Sequence, residues 1–296
     1  SGCTMQMRRD NMNLKTKRTV QVVIRYIILI AVGIFMIYPL LWMIGATFKP
    51  NNEIFSTINI LPKAFTTEGY KAAVKSYGGD INIWKAMLNT YSYVIPAVIF
   101  TVVSSTITAY GFGRFKFKGR GILFAILMST LFLPQVVLNV PQYIMYNNFG
   151  WIGSKLYLPL IVPSLFATDT YFVFMLIQFL RNIPKELEEA ARIDGCNVFQ
   201  TLIKVIVPML MPAIVSCALF KFMWASNEFL GPLLYVNTPA KYTATIFVKL
   251  TMDSDSGFAW NRILATSLIS VIPSIFIFFI AQNQFVEGIS AGGVKG

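Results

Sequence analysis

VVIRYIILIAVGIFMIYPLLWMIGAT, residues Val22–Thr47, holds a single charged side chain, Arg25. About 20 apolar residues in a helix cross the hydrocarbon core of a bilayer, so this run is long enough to span one. It is too long for the apolar core of a signal peptide, and no small-residue cleavage site follows it. It is expected to stay as an anchor. Outward from it, five further apolar runs follow at Met87–Gly111, Gly121–Met145, Leu156–Leu180, Leu202–Trp224 and Ile263–Gln282. The 296-residue chain is 55% hydrophobic and only 13% charged, with a mean hydropathy of +0.61, whereas a soluble domain carries roughly a quarter charged residues. The expected fold is therefore an all-α membrane protein of six transmembrane helices. Residues 1–21 form an N-terminal tail, 22–284 the six-helix domain with a prominent loop at 181–203, and 285–296 a C-terminal tail.

The net charge of +12 raises nucleic acid as a partner, but that needs a basic groove interleaved with stacking aromatics. Here the aromatics lie inside the apolar runs and the basic residues lie between them, which is membrane topology. Cys3, Cys196 and Cys217 are far apart and histidine is absent. Neither a zinc site nor a disulfide framework is supported, and the commonest general base and metal ligand is missing. The composition argues against an enzyme and calls for no metal. Ser1–Met12, with three methionines, reads poorly as native sequence and is expected to be a cloning remnant or an over-long gene start.

Orientation follows the distribution of Lys and Arg in short loops. Arg114, Lys116, Lys118 and Arg120 crowd one connection without an acid, while Tyr146–Leu156 has only Lys155. Both termini are therefore expected on the cytoplasmic side. Prolines inside the runs (Pro96, Pro134, Pro159, Pro163, Pro208, Pro212, Pro273) would each cost ~3 kcal/mol in a soluble helix. In a packed membrane bundle neighbouring helices and Ser/Thr groups re-satisfy the freed carbonyls. The second run is rich in small and hydroxyl residues, including Thr101, Ser104, Ser105, Thr106, Ala109, Gly111 and Gly113. Such residues permit close helix approach, and the run is expected to be an interior helix. The longer outer segments, Lys49–Lys85 and Asn227–Arg262, are expected to be partly helical caps.

Between the fourth and fifth runs lies Asn182-Ile-Pro-Lys-Glu-Leu-Glu-Glu-Ala-Ala-Arg-Ile-Asp-Gly195. Pro184 suits a first helical turn, and Glu186, Glu188 and Glu189 complement the positive end of the helix dipole. Gly195 suits the left-handed position that ends a helix, and Val198, Phe199 and Leu202 begin a second amphipathic turn. The result is a short capped helix, a sharp bend and another helix. Taken alone it is either an ordinary surface-lying loop or a protein contact, since Ala190-Ala191 flanked by charge suits tight docking.

Glu189-Ala190-Ala191, Gly195 and Ile206-Val207-Pro208 resemble the EAA signature of ABC importer permeases. The fuller string from Pro184 through Glu189-Ala-Ala-Arg-Ile-Asp-Gly195 is similar to the form found in carbohydrate importers. Asn89-Thr90, Ala109-Tyr110, Phe117-Lys-Gly-Arg120, Asn227-Glu-Phe-Leu-Gly-Pro232, Phe285-Val-Glu-Gly288 and Gly292-Gly-Val-Lys-Gly296 add to the likeness. The resemblance to MalG-like sugar-permease subunits covers about residues 20–296. Ala225-Ser226 departs from it where the family often carries an aromatic beside the Asn. The resemblance implies a type I ABC importer permease fold in the bacterial inner membrane, with substrate moved by alternating access. It implies a second, MalF-like permease, a homodimeric cytoplasmic ATPase that binds the ATP and Mg, an extracytoplasmic solute-binding protein and a saccharide substrate. The loop would then be the coupling helix docked in a groove of the ATPase, through Glu188, Glu189, Ala190, Ala191, Ile193, Asp194, Gly195 and Phe199. Gly292–Gly296 would be a second contact. The chain has no G-x-x-x-x-G-K-[ST], since Gly153-Ser154-Lys155 lacks the earlier glycine and the trailing hydroxyl, so it needs no cofactor of its own.

Asp169 falls within the fourth run, where an isolated charge costs ~2.5–3.5 kcal/mol on insertion scales. Lys221 in the fifth run is placed to reach it. The pair is either a structural ion pair or part of a polar path shared with Gln135, Asn139, Gln142, Asn227 and Glu228. Tyr143, Tyr171 and Trp224 are candidate aromatic faces for a sugar on that path. A rival reading is a stand-alone secondary transporter with Asp169 as its proton or ion site.

Overall fold

The computed structural model describes residues 2–77, 81–154, 156–252 and 258–293, with side chains between 18 and 282. Lys155, Lys295 and the side chains of Cys3 and of 285–288 lie outside the described part, as does most of the expected C-terminal contact. Among the described residues, five helices are long and apolar enough to cross a membrane, or six if one bent pair is a single span. They are Arg18–Ala46, Ile83–Arg114, Leu158–Leu180, Val198–Ser226 and Trp260–Gln282, plus the pair Arg120–Thr130 and Gln135–Asn148. Each coincides with one of the six expected runs.

The chain divides into two units. In the first, Ser1–Ala72 with Ala259–Ala265, helix α1 (Gly2–Ala46) leaves large apolar side chains exposed between Val20 and Ile44, Phe35 at 80%. The following strap carries α2 (Asn51–Ile54) and α3 (Glu68–Ala73). Lys49 is fully buried there, its Nζ donating to Asn59 O at 2.5 Å. Phe48 stacks on Phe65 at 5.1 Å. The Glu53 carboxylate accepts from the backbone N–H groups of Lys63 (2.7 Å) and Ala64 (3.3 Å). These donors, Lys63 N–H first, hold its carboxyl below the ordinary glutamate range.

In the second unit, α4 (Ile83–Arg114) is the interior helix that its small residues predict. Ala97, Thr101, Ser105 and Ala109 are buried, and α4 packs against both α8 (Thr170–Leu180) and α11 (Val207–Ser226). Ala109, Val173, Leu176, Ile177 and Ala213 form the seam of these three. Gly113 lies directly under Leu180, whose side chain a Cβ at 113 would strike. The glycine answers to the closeness of α8 and not to its own backbone angles, since an added Cβ would have to displace the Leu180 side chain.

Three expected spans are less regular than a hydropathy reading makes them. The third is two helices, α5 (Arg120–Thr130) and α6 (Gln135–Asn148), bent by 101°. Pro134 has no N–H to continue the helix and pushes Leu133 out of helical conformation. The chain accordingly closes α5 with short i→i+3 bonds from Leu131, Phe132 and Leu133. The fourth begins as α7 (Leu158–Ile161) and a 3₁₀ segment, Val162–Phe166, then unwinds before α8. Ala167 takes φ +52°. The carbonyls freed around Pro163 are met by hydroxyls: Thr168 Oγ1 donates to Pro163 O at 2.9 Å and Ser104 Oγ to Ser164 O at 2.7 Å, as expected for broken helices at membrane depth. The fifth starts with α10 (Val198–Thr201) and a π-helical turn, Leu202–Ile206, before α11. The outer cap between the fifth and sixth spans carries α12 (Leu230–Tyr235) and α13 (Ala244–Met252), and α14 (Trp260–Gly293) is the last helix.

Candidate functional site

Two features of the second unit concentrate polar chemistry. The first is the loop around α9 (Glu186–Ile193). Lys185 is its N-cap residue, so Pro184 precedes the helix instead of opening it as expected. Gly195, at φ +83°, ends it. Cys196 N–H bonds Ala191 O (2.9 Å) and Gly195 N–H bonds Arg192 O (3.0 Å), the paired closure of a Schellman motif. Two residues on, Asn197 and Gln200 exchange side-chain-to-backbone bonds of 2.9 Å each and cap α10. Both helix ends at the bend are thus satisfied locally, which makes the loop a stiff knob.

Of the three glutamates in the first turn, Glu188 parts company with Glu186 and Glu189, which are exposed. Glu188 is buried and forms an ion pair through Oε1 with Arg114 Nε at the end of α4. Tyr110 OH donates to its other oxygen at 3.2 Å. Arg114 also reaches Ile183 O at 2.7 Å, just before α9. Below this contact lies an apolar seat of Tyr110, Leu180, Ile183, Leu202, Ile206 and Leu210. Glu189, Ala190, Asp194 and Gly195 are exposed, as are Ile193 (87%) and Phe199 (64%). Ala191 is buried against the bundle. Of the residues expected to dock a partner, Glu188 and Ala191 therefore face inward and root the knob; the others face out. Ile193 and Phe199 are thus large apolar side chains left exposed on a charged helical loop.

The second feature is a cavity of about 1040 Å³. Its rim and walls include Gln135, Asn139, Gln142, Asp169, Lys221, Trp224 and Glu228, seven of the expected path residues. The Pro134 break makes this possible, because it swings α6 so that its 135/139/142 stripe faces the opening. Asp169 sits in the unwound stretch of the fourth span, immediately before α8. Lys221 Nζ reaches its Oδ2 at 2.7 Å and Thr101 Oγ1 donates to the same oxygen at 2.9 Å. The expected pairing of Asp169 with Lys221 is observed, and the pair also borders the cavity. Glu228 Oε1 accepts from Gly231 N–H at 3.0 Å.

Tyr143, Tyr171 and Asn227 do not line the cavity. Tyr143 lies on the flank of α6 and stacks on Tyr235. Tyr171 packs between Phe172 and Trp224. Asn227 folds its amide back onto Met223 O at 2.8 Å and completes α11. In their place the cavity gains Thr130, Thr168 and Thr170 and the rings of Tyr146, Trp151 and Tyr235. The signal for the threonines was the proline pattern: Pro134 and Pro163 mark where both spans open.

A profile of the family described as binding-protein-dependent transport system inner membrane component matches residues 102–290. The galactooligosaccharides transport system permease protein GanQ of Bacillus subtilis (strain 168) is 28% identical, the match covering 96% of this chain and 99% of GanQ. The probable ABC transporter permease protein YurM of the same strain is 31% identical over 88% of this chain and 84% of YurM. A bacterial ABC transporter involved in import of the acidic polysaccharide alginate contains a chain of the same fold, with a TM-score of 0.76 at 18% identity, over 90% of this chain and 96% of that one.

Proposed function

The chain belongs to the family of binding-protein-dependent transport system inner membrane components, and from that premise we propose that it is the permease subunit of an ATP-driven importer for a sugar or oligosaccharide. The observation that carries the proposal is the stiff α9–α10 knob with Ile193 and Phe199 held out from the bundle. Short capped helices with exposed apolar side chains suit insertion into a groove of a partner. The partner is a cytoplasmic ATPase dimer, which supplies the ATP and Mg that this sequence has no phosphate-binding loop to hold. Glu189, exposed beside Ala190, is the residue placed to meet a basic group there. A second permease completes the translocation path, and an extracytoplasmic binding protein delivers the substrate.

A saccharide needs hydrogen-bonding groups and flat apolar faces together. Gln135, Asn139 and Gln142 offer the former, and Trp224, Trp151, Tyr146 and Tyr235 the latter, around one cavity of the size that small ligands occupy. GanQ, whose name assigns it galactooligosaccharides, supports the substrate class. The rival, a stand-alone transporter with Asp169 as proton site, is not favoured: Lys221 already compensates that carboxylate at 2.7 Å.

The test is uptake of radiolabelled oligosaccharides by cells carrying Glu189→Lys or Ile193→Asp. Both substitutions are on the exposed face, so the bundle forms while the ATPase no longer co-purifies and uptake is abolished. Undiminished uptake in both variants, or uptake that survives ATP depletion and collapses with the proton gradient, refutes the proposal.

A further inference from the structure

The loop is joined to the bundle by three routes, one buried contact and two covalent ends. One route is the buried contact to α4: the Arg114–Glu188 ion pair, the Tyr110–Glu188 bond at 3.2 Å and the Arg114–Ile183 bond at 2.7 Å. The covalent ends are the non-helical turn 181–185, which carries Pro184 and leads from α8, and α10 with the π turn Leu202–Ile206, which leads into α11. A π turn replaces i→i−4 bonds by longer i→i−5 bonds, here Val207 N–H to Leu202 O, and such turns mark places where a helix yields. Pro208 and Pro212 follow at once, each removing a further backbone bond. Both covalent ends thus pass through irregular backbone, and the α4 contact braces the loop between them.

The same α4 carries Thr101, which donates to Asp169 Oδ2 at the cavity. Thirteen residue steps of helix lead from Thr101 to Arg114, about 20 Å of rise, and no proline interrupts them. We infer that Arg114 and Glu188 are positioning residues that transmit displacement of the knob into α4 and so to the Thr101–Asp169–Lys221 cluster. Both side chains are buried, so neither belongs to the exposed face of the knob. Glu188 is turned away from the docking face, and its carboxylate is enclosed by Tyr110 and Arg114 on α4. The pair acts as a tether. It adds a directional, charged contact to the apolar seat beneath it, which itself resists separation because parting it would expose apolar surface to water. This inference rests on the proposed function, because it takes the exposed face of the knob as the point where force enters.

The experiment measures uptake per ATP hydrolysed by the assembled transporter in proteoliposomes, purified through a tag on this chain. Glu188→Gln keeps size and shape but removes the charge. It should retain every co-purifying subunit and its ATP hydrolysis, while uptake per ATP falls about tenfold, within the usual range for coupling between sites. Exchanging the charges, Arg114→Glu with Glu188→Arg, should recover most of the ratio. A ratio unchanged in Glu188→Gln overturns the inference. So does loss of subunits in Glu188→Gln that the exchanged pair fails to restore, because the contact is then only a structural anchor. An exchanged pair that holds its subunits but stays uncoupled also overturns it. Glu189→Lys serves as the independent control: if it leaves subunit capture and uptake intact, the docking reading fails, whatever Glu188→Gln does.

Discussion

Gly113→Ala puts one methyl group against Leu180, the side chain that a Cβ at 113 would strike. Leu180 is 1% exposed and belongs to the apolar seat beneath the α9 knob, so it has little room to move. Overpacking of this kind costs about 1–3 kcal/mol. Against it stands the helix propensity of alanine over glycine, a gain of up to about 1 kcal/mol. The sign depends on which is larger, and Gly111 supplies the reference. It lies in the same turn of α4 with nothing within 4 Å of an added Cβ, so Gly111→Ala receives the propensity gain alone. The two variants should therefore differ by the packing cost, about 1–3 kcal/mol, or roughly 2–12 °C in melting temperature for a bundle of this size. The assay is thermal unfolding of the detergent-solubilised chain followed by tryptophan fluorescence. Leu180→Ala, destabilising by itself through the cavity it leaves, should relieve Gly113→Ala, giving a non-additive cycle. If Gly113→Ala melts with or above Gly111→Ala, or if the cycle is additive, the close approach of α4 and α8 is wrong.

Gly195→Val should cost about 1–2 kcal/mol, because φ +83° is penalised for an L side chain; Gly195→Asn should cost less, and limited proteolysis of the 182–203 loop ranks the two. Lys221→Met leaves the Asp169 carboxylate with only Thr101, and should destabilise by about 1–3 kcal/mol, below the range for a fully buried pair because the cavity admits water. Adding Asp169→Asn should restore much of that loss in a thermal melt, and a double variant no more stable than Lys221→Met would show the pair contributes nothing. Glu53, with its carboxyl held below 4.5 by the Lys63 and Ala64 amides, contributes stability that is present above that value and lost as pH falls through the lowered one. Hydrogen exchange at those two amides should quicken on acidification, and in Glu53→Gln that acid dependence should be largely gone.

Hydropathy alone located all six runs, because a bilayer demands about 20 apolar residues wherever a helix crosses it. It could not show that two of them are broken. Pro134 was legible as a proline that a packed bundle tolerates, yet whether a proline bends a helix modestly or ends it depends on what meets the freed groups. At Thr130–Leu133 they turn into i→i+3 bonds, and at Pro163 and Ser164 they are taken by hydroxyls of Thr168 and Ser104. The Ser104 contact comes from a different helix, 60 positions away, and no local pattern encodes it. The Asp169–Lys221 pair was legible because opposite charges are so costly apart in a membrane that they nearly specify each other.

Glu188 and Glu189 show the same limit at the loop. Both lie in the first turn of α9, both favour the helix dipole, and no local rule separates them. Their roles diverge because Tyr110, 78 positions earlier, and Arg114 lie under one and not the other. The basic residue that topology counting reads as a marker of sidedness is thereby also the buried counter-charge of the knob. Arg114 has five donors in a rigid fork and uses them on Glu188 and on Ile183 O together. A lysine would serve the topology equally, but its single ammonium lacks the rigid fork that spans these two partners from separate nitrogens. Arg114→Lys should therefore leave membrane insertion unchanged while loosening the knob, and faster hydrogen exchange in α9 with unaltered expression is the result to look for. Equal exchange in both proteins would mean that the second bond, to Ile183, adds nothing to the rigidity of the loop.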